Sequence, residues 1–380
     1  MSLASTRMSV ATETAARPTG WRAFIGHQRT RSALDGLFFI GPFLVVYALF
    51  VLLPVVQAVR MSAFDWDLLG GTQVFIGLAN FQRMLGGRDL TWSIDNQWLV
   101  RLALLLAGVG LAARAVRRGT VTRDLVVSLL ALLLLIVGLG VHPTPQGGFN
   151  DAVFWTSLRH TIEFTLFSTP ILIALGLGLA LALNTSHRGT GFYQAVFFLP
   201  YILPVSVTTL IWGYLLNPDR GILAAFLQRF GVQPVAWLSD PNLALPAIIA
   251  TTVWWTVGFN LVLFLAGLQD IDPALYEASA LDGANGWQRF LHITLPGLQH
   301  VTIFVGVTQV IASFQIFGHV YILTRGGPGD ATRVLIQHVY ETGFRDFQLG
   351  YASAVSLFLL VVMMAVSAVQ FRVLTGRQDD

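Results

Sequence analysis

Long apolar stretches separated by short polar ones dominate the chain. Eight of them approach the roughly 20 apolar residues that a helix needs to cross the ~30 Å hydrocarbon core of a membrane. They cover residues 37–59, 99–116, 124–141, 160–184, 194–216, 243–268, 298–323 and 349–371. Because the stretches lack the alternation of a membrane β-barrel, they predict an all-α polytopic membrane protein with about eight transmembrane helices. The second and third stretches are short and adjacent, which predicts an extra hairpin.

Composition supports this class. The chain is 54% hydrophobic and 11% charged, whereas a soluble protein carries about 25% charged residues. All 23 residues counted as lysine or arginine are arginine. The phosphate-binding loop of ATP-hydrolysing proteins needs a lysine, so we expect no ATP or other cofactor on this chain. The lack of cysteine excludes disulfides and thiolate metal sites. The net charge of +3 does not indicate nucleic-acid binding.

Arginine placement predicts the orientation, because cytoplasmic loops carry an excess of basic residues. Five arginines precede the first apolar stretch, four lie in the hairpin turn and two follow the last stretch. An even number of spans then leaves both termini in the cytoplasm. The predicted segments are an N-terminal tail (1–36), a first span with an external loop (37–98), the hairpin (99–141), a core (142–372) and a C-terminal tail (373–380).

The middle of every predicted span lacks Asp, Glu and Arg. Such groups normally mark proton relays and ion pathways, so their absence argues against a proton-driven transporter, a pump or a charged-pore channel. The spans carry neutral polar groups instead, among them Thr252, Gln309 and Ser313. These groups could bind a neutral polyhydroxyl ligand, or they could hold helices together. The residues alone leave both interpretations open.

An acidic loop at 270–296 breaks the arginine pattern on the side predicted to be cytoplasmic. Asp272 can cap a short helix that Gly283 ends, and Asn285 with Gln288 is typical of the capping box of a second helix. The loop is therefore predicted to be two short helices with a corner between them. On these features alone it could be an ordinary connection.

The same loop contains a spaced motif. Glu277-Ala278-Ser279 is followed after three residues by Gly283 and, after nine more, by Ile293-Thr294-Leu295-Pro296. This spacing resembles the E-A-A signature of the permease subunits of binding-protein-dependent ABC importers, with Ser279 in place of the second alanine. The resemblance implies a coupling helix that docks into a separate ATPase subunit, which would bind ATP and Mg²⁺. It implicates Glu277, Ala278, Ser279, Asp282, Gly283, Leu295 and Pro296.

Further stretches are similar to the carbohydrate-importing branch of that family. They include Gly77-Leu78-Ala79-Asn80-Phe81, Phe198-Leu199-Pro200-Tyr201 and Thr324-Arg325-Gly326-Gly327-Pro328-Gly329. Within this branch the chain looks like a maltose-type (MalF-like) first permease, over about 37–85 and 150–372 but not the hairpin. The resemblance implies a prokaryotic cytoplasmic-membrane complex with a MalG-like second permease, two copies of an ABC ATPase subunit and an extracytoplasmic sugar-binding protein.

A sugar site midway through the membrane is a second implication of the resemblance. The aromatic residue of the L-P-Y-x-x-P stretch contacts the sugar in maltose-type relatives, which carries over to Tyr201. The neighbouring polar position is Val205 here, with Ser206 one step on. The candidate substrate contacts are Tyr201, Ser206, Thr252, Thr256, Gln309, Ser313 and Gln315.

Two other classes of function remain as alternatives. A secondary sugar transporter working alone would need internal inverted repeats and a coupling-ion site, and the sequence shows neither. A membrane-embedded enzyme would need acid–base pairs within the spans. The main prediction is a transport subunit, driven by ATP hydrolysis on another chain, that does no bond chemistry of its own.

Overall fold

The computed structural model describes a large part of the chain in two compact units, within residues 1–57 and 58–380. The described residues are 28–66, 71, 73–93, 98–118, 129, 132–133, 136, 140–184 and 189–375. Most of the predicted third span (124–141) and most of both predicted tails therefore lie outside the described residues. The predicted segment boundaries stay predictions.

One apolar helix covers the described residues of the first unit and continues into the second. Helix α1 (Gln28–Tyr47) continues through a π-helical turn (Ala48–Leu52) into α2 (Leu53–Ser62). The stretch Phe38–Ser62 has a mean hydropathy of 2.6, and no side chain at positions 38–57 is buried. An exposed apolar helix of this length is suited to lipid, as predicted for 37–59.

Two antiparallel strand pairs follow, and three of their four strands lie in the predicted external loop after the first span. Strand β1 (Phe64–Trp66) pairs with β2 (Gln73–Phe75), and β3 (Gly87–Trp92) pairs with β4 (Val141–Phe149). Helix α3 (Ala79–Leu85) lies between the pairs in sequence. Strand β4 lies at the start of the predicted core (142–372), where main-chain pairing with β3 orders residues 141–149.

Helix α4 (Trp98–Arg118) covers the predicted second span (99–116), and the described residues after it are mainly helical. The remaining helices are α5 (Ala152–Leu183), α6 (Thr190–Ile202), α7 (Val205–Leu215), α8 (Ile222–Arg229), α9 (Ala244–Gln269), α10 (Pro273–Leu281), α11 (Gly286–Arg289), α12 (Leu295–Gly297), α13 (Gln299–Phe314), α14 (Gly318–Leu323), α15 (Leu335–Tyr340) and α16 (Leu349–Thr375). Short π-helical turns lie at Phe290–Thr294 and Glu341–Arg345.

Four described helices are long and apolar enough to cross a membrane singly, and up to six spans result if each of two bent pairs counts as one. The single helices are Phe38–Ser62, α5, α9 and the described part of α16 to Gln370. One bent pair joins α6 to α7 at 98°, and the other joins Gly286–Gly297 to α13 at 64°. The all-α polytopic fold is confirmed, although two predicted spans are not continuous helices.

The break in the predicted span 194–216 follows from its prolines. Pro204 has no N–H to continue the helix, and the amide of Leu203 bonds the carbonyl of Pro200 at 3.1 Å instead. The predicted span 298–323 is also interrupted, between α13 and α14. That break has no proline, and it places Ile316 and Val320 together in one core cluster.

Helix α9 lies at the centre of the second unit, and 67% of its most apolar segment is buried. It packs against α5, α6 and α13. At Gly258 a side chain would collide with the main chain of Phe197 in α6, and at Gly176 in α5 it would come within 2.7 Å of the Cβ atom of Asn260. Small residues thus let α9 approach its neighbours closely.

Threonines on these helices bond to their own backbone. Thr161 and Thr165 on α5, Thr252 on α9 and Thr308 on α13 each donate to the carbonyl four residues earlier, at 2.8 or 2.9 Å. The hydroxyl donors are satisfied without a partner on another helix.

Candidate functional site

Helices α5, α6, α9 and α13 line most of a partly open cavity of about 320 Å³, near the lower limit of ~300–1,000 Å³ for small-molecule sites. Its lining residues are Phe164, Leu172, Tyr201, Thr252, Trp255, Thr256, Phe259, Thr308, Gln309, Ala312, Ser313 and Ile316.

Aromatic rings form one wall of the cavity. The ring of Tyr201 stacks on that of Phe259 with centroids 4.9 Å apart and an interplanar angle of 21°. Trp255 lies beside Tyr201 at 5.4 Å. The proline-broken end of α6 thereby brings Tyr201 against α9.

Amide and hydroxyl groups form the other wall. The Nε2 of Gln309 donates to the Oδ1 of Asn260 at 2.8 Å, and Ser313 lies 3.2 Å from the hydroxyl of Ser168. Within the described part of the chain, the hydroxyls of Tyr201 and Thr256 have no hydrogen-bond partner. These groups are free to bond a ligand.

No side chain lining this cavity is charged. His319 lies behind Trp255: it is 1% exposed, and its ring centroid is 5.1 Å from that of Trp255. An ion placed here would lose its hydration without a countercharge, which is costly. The cavity suits a neutral, hydroxyl-rich ligand with an apolar face.

Five of the seven predicted substrate contacts line this one cavity: Tyr201, Thr252, Thr256, Gln309 and Ser313. The other two do not. Ser206 is exposed on α7, and Gln315 is exposed at the end of α13 with its amide 3.9 Å from the sulfur of Met363. The role of all seven in binding stays a prediction.

The sequence prediction missed several lining residues, including Trp255 and Phe259 on α9. Helical spacing could have found them, because positions 252, 255, 256 and 259 fall at i, i+3, i+4 and i+7 and share one helix face.

A second candidate site is the acidic loop 270–296, which we call the knob. Its predicted caps are present: Asp272 accepts from the amide of Ala274 at 2.9 Å, and Asn285 and Gln288 form a reciprocal capping box. Gly283 has a φ of +76°, the left-handed conformation that ends α10.

One hydrogen bond joins the two halves of the knob, from Tyr276 to Thr294 at 2.9 Å. Its surface is partly apolar, because Leu281 is 91% and Trp287 67% exposed. An open groove of about 390 Å³ lies between the halves. Of the residues implicated by the motif, Ser279 is partly buried and the others are exposed: Glu277, Ala278, Asp282, Gly283, Leu295 and Pro296.

A third polar cluster, which the sequence did not predict, lies at the start of α5. Asp151 caps that helix through the amide of Phe154 at 2.9 Å, accepts from the hydroxyl of Tyr351 at 2.5 Å and lies 3.3 Å from His338. Burial raises the pKa of Asp151, but the hydrogen bonds from His338, Tyr351 and Phe154 outweigh it and hold that pKa below its ordinary value. Sequence spacing gives no signal for this cluster, because its members are up to 200 residues apart.

Residues 173–376 match the family of binding-protein-dependent transport system inner membrane components, a range that includes most of the cavity and the whole knob. The chain belongs to that family. It is therefore a multi-pass membrane permease, as the E-A-A motif predicted, and the family gives no support to a secondary transporter working alone.

Permeases of named systems are among its relatives. The sn-glycerol-3-phosphate transport system permease protein UgpA of Agrobacterium fabrum is 36% identical over 60% of this chain and 78% of its own. The lactose transport system permease protein LacF of Rhizobium radiobacter is 34% identical over 59% and 76%.

The fold is shared with a solved transporter. The crystal structure of a bacterial ABC transporter involved in the import of the acidic polysaccharide alginate superposes on 93% of this permease and 100% of its own chain, with a TM-score of 0.64 and 18% identity.

Proposed function

We propose that this permease moves a neutral sugar, a di- or oligosaccharide, through an ATP-driven importer by alternating access. The observation that carries the proposal is the uncharged cavity, which combines aromatic rings with hydroxyl and amide groups. A sugar ring presents apolar C–H faces and a rim of hydroxyls, so it matches both walls.

Because no charged side chain lines the cavity, it favours the neutral substrates among those for which relatives are named. A phosphate or a uronate would enter without a countercharge, whereas lactose is neutral. We therefore expect neutral sugars to be preferred over sn-glycerol-3-phosphate. A cavity of about 320 Å³ holds only part of an oligosaccharide, and a MalG-like second permease would supply the remaining wall.

The knob transmits the effect of ATP hydrolysis on the ATPase subunit to the spans. Its exposed Leu281 and Trp287 give an apolar surface among acidic groups, which fits a cleft on a separate ATPase subunit. Two copies of that subunit would bind ATP and Mg²⁺, and this chain would bind neither. With the knob on the cytoplasmic side, both termini are cytoplasmic and the binding protein delivers sugar from outside the prokaryotic cytoplasmic membrane.

Uptake by the reconstituted complex tests the proposal. Proteoliposomes with both permeases, the ATPase and the binding protein should accumulate one or more of labelled lactose, maltose and raffinose in an ATP-dependent way, in preference to sn-glycerol-3-phosphate. Tyr201→Ala should raise KM about tenfold, the equivalent of about 1.4 kcal/mol. Tyr193→Ala is the matched control, because Tyr193 is an exposed tyrosine on the same helix.

Two further results would contradict the proposal. Unchanged ATP-driven uptake in Glu277→Lys or Gly283→Asp would refute the coupling role of the knob. Uptake by the permeases without the ATPase would establish a secondary transporter instead.

A further inference from the structure

At the corner between α6 and α7 the backbone carbonyl of Leu203 lacks its helical partner. In a continuous helix the carbonyl of Leu203 would accept from the amide of Val207. That amide bonds the carbonyl of Pro204 at 3.0 Å instead, because the chain turns by 98° at this point.

Trp255 on α9 supplies the missing donor. Its indole Nε1–H donates to the carbonyl of Leu203 at 3.1 Å. An unpaired carbonyl is costly inside a membrane, so this bond stabilises the corner. Among the aromatic side chains of the cavity wall, only tryptophan offers an N–H donor of this kind.

The same indole ring is part of the cavity wall. It lies against the ring of Tyr201 at 5.4 Å and against the buried ring of His319 at 5.1 Å. The ring of Trp255 thus lines the cavity, while its N–H bonds the corner of the broken span.

We propose that Trp255 is a positioning residue that fixes the angle between α6 and α7 and connects it to the occupancy of the cavity. A ligand stacked on the aromatic wall restrains the indole ring, and the restrained ring holds the corner through the carbonyl of Leu203. The ligand step rests on the proposed function, whereas the effect on the corner does not.

Spin labels can measure the corner directly, because the chain has no native cysteine. Cysteines replacing Phe192 on α6 and Leu210 on α7, both 69% exposed, place one label on each arm. Double electron–electron resonance on the full complex that carries these two labels and the native Trp255 should give a narrow distance distribution. Trp255→Phe keeps an aromatic ring but removes the donor, and it should at least double the width. Trp254→Phe should not, because Trp254 packs its ring on Trp212 of α7, a ring contact that phenylalanine keeps, and the hydrogen bond to the corner comes from Trp255.

A second substitution separates the donor from the shape of the side chain. Replacing Trp255 by benzothienylalanine exchanges the N–H for sulfur at almost unchanged size, and it should broaden the distribution as Trp255→Phe does. Distances unchanged from the Trp254→Phe control in both variants would overturn the proposal.

Transport supplies a further readout. With the best-transported sugar among lactose, maltose and raffinose, the benzothienylalanine variant should keep KM within threefold and lower the maximal uptake rate about tenfold. A tenfold higher KM at an unchanged maximal rate would overturn the connection to the corner and leave a simple binding wall. Failure of the unmodified complex to take up any of these sugars would count against the proposed function, while the label distances would still decide the role of Trp255.

Discussion

Gly283 offers a direct test of how the knob is built. Its φ of +76° is a conformation that L side chains rarely adopt. Two hydrogen bonds depend on it: the amide of Gly283 donates to the carbonyl of Ala280 at 3.2 Å, and that of Ala284 donates to Ser279 at 2.9 Å. This pair of bonds is the Schellman arrangement that ends a helix.

Gly283→Ala should destabilise this turn through backbone strain alone. A Cβ added at Gly283 would meet no atom within 4 Å, so no steric clash contributes. The left-handed conformation costs a non-glycine residue about 1–2 kcal/mol, which changes the equilibrium between the formed and the open turn by about 5–30-fold. The affinity of the knob for the ATPase should fall by no more than the same factor.

Hydrogen exchange measured by mass spectrometry checks this expectation. Peptides that contain the amides of residues 283 and 284 should exchange about 5–30-fold faster in Gly283→Ala. Gly286→Ala is the control, because Gly286 is also open to a Cβ but has no left-handed φ. Equal exchange in the wild type and Gly283→Ala, or equal acceleration in both variants, would refute the reasoning.

Three shorter predictions concern the knob, the start of α5 and the cavity. Tyr276→Phe should lose the hydrogen bond to Thr294 and about 1 kcal/mol of local stability, seen as faster exchange on both sides of the knob; unchanged exchange would show that the bond is not formed. Asp151→Asn should lower the Tm near pH 7, and the difference should shrink as the pH falls below about 3.8, the ordinary pKa of the group, because a depressed pKa stabilises only while the carboxylate is charged. A Tm difference that persists at low pH would contradict this origin. Ser206→Ala and Gln315→Ala should leave the KM for sugar unchanged, since neither residue lines the cavity, and a tenfold rise in KM would place them in the site.

The apolar spans and the caps of the knob could be predicted because their signals are local. A run of apolar residues, an Asp272 before Pro273 or an Asn285 before Gln288 each acts within a few positions. The neutral polar groups of the spans also pointed to Thr252, Thr256, Gln309 and Ser313, four of the twelve lining residues, because neutral hydrogen-bonding groups are uncommon in lipid-exposed helices. Tyr201 followed from the family resemblance.

Features that depend on distant partners were not predictable in the same way. The prolines of the 98° corner are local, but Trp255, which bonds the carbonyl of Leu203 there, lies more than 50 residues away in the sequence. The cluster around Asp151 joins segments almost 200 residues apart. Strand β4 forms only because β3 pairs with it, and its sequence VHPTPQGGF has two prolines and two glycines that argue against a strand.

The threonines of α5, α9 and α13 that bond to their own backbone have a consequence for motion. A hydroxyl that bonds to its own helix lets that helix slide or rotate against a neighbour without losing the bond. Where the contacts of these helices are described, few side-chain hydrogen bonds cross between them, chiefly Asn260 to Gln309 and Ser168 to Ser313. These few bonds are the polar contacts that a change of access would have to break and remake, and both adjoin the cavity. A ligand in the cavity that replaced one of these bonds would lower the barrier to the change of access.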